Sequence, residues 1–180
     1  MVQIPLILGG TIGSYALYSY YRGNNSKGGG VASNNNALDE TEGLSDSIGW
    51  PYFWAKGSPA TPWTDGPKGV DCSGYAQMAL VRLGILSSGY ADRGARALSD
   101  DSDPIIVGSQ EPGDLAYYGG HVMVVCGYPK DDGGHSAVIG ATGGGSLTFG
   151  TDPKACVKIY DSALYWSAFI CYMRLKDNKR

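Results

Sequence analysis

A chain of 180 residues with 43% hydrophobic content holds enough apolar material for one core, and its length fits a single domain of ordinary size with an extension. The net charge of -3, with Lys and Arg scattered, excludes the concentrated basic surface that binding to a nucleic-acid backbone requires, and the closing run RLKDNKR reads as a solvated end. Four cysteines, Cys72, Cys126, Cys156 and Cys171, with no C-x-x-C and no H-x-x-x-H, argue against a metal site, and no cofactor is expected.

Residues 1–22 form the first segment. VQIPLILGGTIGSYALYSYY carries no charge, and about 20 residues rising 1.5 Å each would cross a hydrocarbon core of roughly 30 Å. Gly9 and Gly13 form a G-x-x-x-G, and Tyr18, Tyr20, Tyr21 and Arg22 sit where an interfacial belt would lie. Gln3, Pro5 and several hydroxyls weigh against a span, so three readings stand: a membrane anchor, an apolar tail docked on another protein, and a cleaved signal. Residues 23–47, rich in Gly, Asn, Ser and acids, read as a flexible linker, and residues 48–180 as the globular domain.

That domain opens on an aromatic, Gly/Pro-rich lead-in. Tyr75, Met78, Ala79 and Leu83 then recur at helical spacing, predicting an amphipathic helix over 73–83 with Gly84 as its stop. Pro104 and Pro112 read as breakers around a short helix near 93–98. After Pro112 come five strand-like runs, 114–118, 121–128, 137–142, 156–160 and 169–175, separated by Gly and Asp turns. A helix followed by consecutive short strands predicts an α+β domain, the helix packed on an antiparallel sheet of about five strands.

Three of the cysteines lie in those apolar runs and read as packing residues, with any pairing between Cys156 and Cys171 left open. Cys72 differs. It stands at the predicted helix N-terminus, where unpaired N–H groups and the helix dipole favour a thiolate, which predicts a pKa below the ordinary value of about 8.5. A nucleophilic thiol needs a base, and the chain has two histidines. His121 opens a strand after Gly119 and Gly120, whereas His135 sits in a loop, so His121 is the favoured partner.

PYFWAKGSP, GVDCSGYAQMAL, PGDLAYYG, HVMVVCG, AVIGATGGG and YWSAFICYMRL, in this order and at these intervals, resemble the NlpC family of papain-like cell-wall cysteine peptidases over residues 48–180. The resemblance implies a papain-like fold and hydrolysis of an amide bond in peptidoglycan stem peptides. It implies Cys72 as nucleophile, His121 as general base, Asp71 and Ser73 beside the nucleophile along the substrate groove, and Tyr52 beside it as a further oxyanion donor. Family members usually carry a third polar residue that orients the base. Here the matching position is Gly140, so Thr142, His135 or a backbone carbonyl would substitute, or the enzyme would be weak or inactive. The run GATGGGS resembles phage-encoded members. A phage or virion-associated wall-opening enzyme is therefore expected, held to a membrane or to other virion proteins through residues 2–21. A bacterial envelope enzyme is the second reading, although Arg22 and Lys27 after the apolar run would tend to keep its domain in the cytoplasm.

Two further classes stay open, an inactive structural virion protein with this fold and a papain-like amidase or acyltransferase acting elsewhere. Gly143, Gly144 and Gly145 lack the lysine of a phosphate loop and read as a turn where backbone passes close to a neighbour. Trp50, Trp54, Trp63 and Trp166 read as packing residues before they read as a sugar platform.

Overall fold

Short apolar runs divided by glycine and aspartate have few ways to bury themselves, and here they pair edge to edge. In the computed structural model, which describes residues 43–130 and 133–179, six strands form: β1 (Ser102–Ile105), β2 (Leu115–Tyr117), β3 (Val122–Val125), β4 (Val138–Thr142), β5 (Cys156–Tyr160) and β6 (Cys171–Leu175). They make one antiparallel sheet in the order β1-β6-β2-β3-β4-β5. Five of the six match the strands expected from sequence. The sixth, β1, contains Pro104, which was read as a breaker. As an edge strand, paired only with β6 and with Pro104 opposite Met173, β1 tolerates the missing N–H.

The helix α1 (Cys72–Arg82) begins one residue earlier than its periodicity implied, because Asp71 adopts extended geometry and its carboxylate accepts the Gly74 N–H at 2.7 Å. It ends at Gly84, with φ of 71°, whose N–H bonds to the Val81 carbonyl while Ile85 N–H bonds to that of Leu80. The expected amphipathic face is absent. Every residue from Cys72 to Leu80 is buried, since α1 packs on β3 and β4 and is covered by α2 (Ala95–Asp100) and the 3-10 turn Trp63–Lys68. Gly74 permits that burial: a Cβ there would lie 2.3 Å from the Lys56 carbonyl oxygen and 2.6 Å from that of Gly57.

The central strands are buried on both faces, so they read as continuous apolar runs. Val122, Val124, Ile139, Ala141 and Val157 face α1. Met123, Val125, Val138 and Tyr172 face the opposite way, beneath Tyr118, Ala163, Tyr165 and Phe169. Asp114, from the P-G-D-L run, is buried and takes Arg174 Nε at 2.8 Å and Nη2 at 2.6 Å, pinning the start of β2 to β6.

The packed chain reaches back into the segment read as linker, where Leu44 is fully buried and Ser47 Oγ lies 2.9 Å from Tyr75 Oη. The apolar run 2–21 lies outside the described residues, and no helix among the described residues is long and apolar enough to cross a membrane. All four cysteines are free. Cys156 on β5 and Cys171 on β6 have three strands between them, so their separation of about 19 Å far exceeds the roughly 7 Å limit for a disulfide.

Candidate active site

Cys72 is the first residue of α1, where backbone N–H groups lack intrahelical partners. Its own N–H and that of Ser73 point at its sulfur, and Val122 N–H joins them from β3. The sheet register explains that third contact. Tyr118 N–H donates to the His121 carbonyl at 2.9 Å across the two-residue turn Gly119-Gly120, so the next pair, Tyr117 with Val122, is a non-hydrogen-bonded one. Val122 N–H therefore points away from β2, toward β4. The pairing of β3 with β4 extends only to Val124, so Val122 has no strand partner on that side and meets the Cys72 sulfur instead. This brings the thiol against the residue that follows His121.

The electrostatics depart from the expectation of a readily ionised thiol. Burial pushes Cys72 up to about 11, and the Asp71 carboxylate adds to the rise, while the three N–H groups pull the other way. The helix terminus acts with the expected sign, but loss of water around the sulfur outweighs it. Burial likewise pushes His121 down to about 4. Its ring packs against the stacked pair Tyr118 and Trp166, at 5.6 and 5.7 Å between centroids. At neutral pH the pair is a thiol and an uncharged imidazole.

Asp71 and Ser73 flank Cys72, and both are engaged in the helix cap. Asp71 Oδ1 accepts Gly74 N–H and the Ser73 hydroxyl (3.2 Å), and Oδ2 accepts Ala55 N–H at 3.0 Å. Burial, the largest influence on it, raises the Asp71 carboxyl above its ordinary range. Tyr52 is buried and close enough to Cys72 and Asp71 for their charges to add to the effect of burial, which holds its hydroxyl protonated well above the ordinary range. The glycine run packs against it, for a Cβ on Gly144 would sit 2.1 Å from the Tyr52 ring.

Three positions stood as candidates to orient His121. Gly140 offers no side chain, and a Cβ there would lie 3.0 Å from Met123 Cγ, so Met123 already occupies that space. His135 lies in the loop between β3 and β4, at the end of the hairpin opposite His121, with Nδ1 3.3 Å from Tyr172 Oη. Thr142 is buried on the face that Met123 and Gly140 share, close enough to the Tyr165 hydroxyl to oppose the upward push of burial on its pKa. Tyr165, which sequence reasoning did not single out, places Oη 3.4 Å from His121 Nε2. It sits in the 3-10 turn Ala163–Tyr165 before β6, a stretch without periodicity, and its only sequence signal was its place in the run YWSAFICYMRL.

No family model matches the sequence, and no curated protein does. Among solved structures the chain resembles NlpC2 from Trichomonas vaginalis, with a TM-score of 0.51 at 18% identity over 81% of this chain. The chain spans about half the length of that protein, 48%. At this identity the likeness concerns architecture, a six-stranded antiparallel sheet with few helices. The chain has an NlpC-like fold.

Proposed function

We propose that the chain is a papain-like cysteine peptidase that cleaves an amide bond in peptidoglycan stem peptides, with Cys72 as nucleophile and His121 as general base. The observation that carries this reading is the place of Cys72 at the start of a buried helix packed on β3, where the Val122 N–H, next to His121, favours negative charge on its sulfur. The thiol sulfur attacks the amide carbonyl while its proton passes to His121. The Cys72 N–H and the Tyr52 hydroxyl donate to the oxyanion, and His121 returns the proton to the departing amine. Water then adds to the thioester, His121 takes its proton, and the acid is released with the thiol restored. The phage-like glycine run supports association with a virion, with residues 2–21 attaching the domain to a membrane or to other virion proteins.

A second reading, a papain-like amidase or acyltransferase on a more apolar acyl substrate, draws on exposed Leu164, Trp166 and Ile170 beside the histidine turn. Mass spectrometry of peptidoglycan fragments incubated with the full chain, Cys72→Ala or His121→Ala tests the two. New stem-peptide fragments from the parent protein alone are expected. Intact stem peptides from several wall types, with a lipid or protein amide turned over instead, would move the assignment to the second reading.

A further inference from the structure

We propose that Tyr165 is the positioning residue of this site, binding His121 at Nε2 from a 3-10 turn and thereby doing from outside the sheet what Gly140 cannot do from within it. The inference rests on the reading of Cys72 and His121 as nucleophile and base. An imidazole that is to take a proton from Cys72 must keep one nitrogen bare and hold the other still. Tyr165 Oη stands 3.4 Å from Nε2, a long hydrogen bond of the kind that tightens when substrate arrives. In the proton order that serves catalysis, Nε2–H donates to Tyr165 Oη, with Thr142 beside the same hydroxyl, which leaves Nδ1 as the base.

Several features fix the hydroxyl in that place. The Tyr165 ring stacks on Tyr160, 3.7 Å between centroids at 13°, and meets Tyr118 edge-on at 5.7 Å. Its backbone N–H bonds to the Ser162 carbonyl at 3.1 Å, and the Ser162 hydroxyl accepts Leu164 N–H at 3.2 Å, closing the turn. Thr142 is two residues beyond Gly140 on β4, so both project on the face that carries Met123. The position that a longer side chain would use is taken by Met123, and the polar contact to the imidazole comes from the layer above.

The test uses the full chain with nitrogen-labelled histidine, in which only two residues give signals. In the parent protein His121 is expected as the Nε2-protonated tautomer. Tyr165→Phe keeps the stacked ring and removes only the hydroxyl, so the fold is retained while the His121 signals move toward a mixture of tautomers and those of His135 stay. Cys72 alkylation, followed by peptide mapping, is expected to slow roughly 2- to 12-fold, the worth of one neutral hydrogen bond expressed as a rate. Thr142→Val should produce a smaller change of the same kind that vanishes in the Tyr165→Phe background. An Nδ1-protonated His121 in the parent, or His121 signals unchanged in Tyr165→Phe, would overturn the proposal. Neither readout needs a wall substrate, so failure of peptidoglycan cleavage alone would count against the peptidase reading and leave the positioning role standing.

Discussion

His121 should make this protein sensitive to mild acid in a way that a single substitution removes. In the folded state burial holds its pKa at about 4, against an ordinary value of 6.5. The folded protein thus prefers the uncharged ring, and the associated stability is fully present above pH 6.5 and is lost as pH falls toward 4. The shift corresponds to about 3 kcal/mol, an upper figure because the ring keeps some contact with water, and the decline has a maximum slope of about 1.4 kcal/mol per pH unit. Urea unfolding of the full chain at intervals between pH 7 and pH 4, beside His121→Gln, measures it. The variant lacks the titrating ring while the carboxylates act on both proteins alike. The two stability curves should run parallel above pH 7 and converge or cross below pH 6, as only the parent loses the His121 contribution. Curves that stay parallel down to pH 4 would refute the reasoning, since His121 would then titrate as it does in the unfolded chain.

Two other outcomes follow from the geometry around Cys72. Asp71→Asn keeps an oxygen to cap α1 at Gly74 but turns an amide N–H toward the Ala55 N–H, so stability should fall by about 1 kcal/mol, while removal of the carboxylate charge should lower the Cys72 pKa from about 11; thiolate absorbance against pH, with Cys72→Ala as the blank, reads the shift, and an unchanged or higher pKa would contradict the charge effect. Gly74→Ala should destabilise by about 1–3 kcal/mol even though alanine favours helix, because its Cβ would press on the Lys56 and Gly57 carbonyls, and an unchanged or raised melting temperature would show that the lead-in yields freely.

Strands β2 to β6 were legible because short apolar runs bounded by Gly and Asp have few other uses, and the helix because its spacing and Gly84 agree. Strand β1 was not, since Pro104 is informative only once its place at a sheet edge is known. Cys72 and His121 could each be singled out by residue type and setting. The approach of Cys72 to Val122, next to His121, could not, because it depends on where the register between β3 and β4 stops. The direction of the Cys72 shift was misjudged for a related reason: a helix terminus can be inferred from a cap residue, but burial of the sulfur is the sum of α1, the lead-in and the sheet. Tyr165 is not legible in the sequence, because a 3-10 turn leaves no periodic trace and this one lies outside β4 and the loop preceding it.

The neutral pair also says how the chemistry must run. With the thiol at about 11 and the imidazole at about 4, moving the proton from sulfur to nitrogen in the resting protein costs about 10 kcal/mol before the two new charges attract. Attraction between the two new charges would offset part of that cost. Both shifts favour the neutral pair over a preformed ion pair at neutral pH. On the proposed reading, the cost would be met during attack, as the carbon–sulfur bond forms and negative charge passes from sulfur to the carbonyl oxygen. In such a scheme the imidazole accepts its proton only in the transition state, so its orientation at that moment governs the rate more than its resting basicity does. A hydroxyl that holds Nε2 would then be worth most where the resting thiol is least ionised, which is the arrangement that Tyr165 and the buried Cys72 make together.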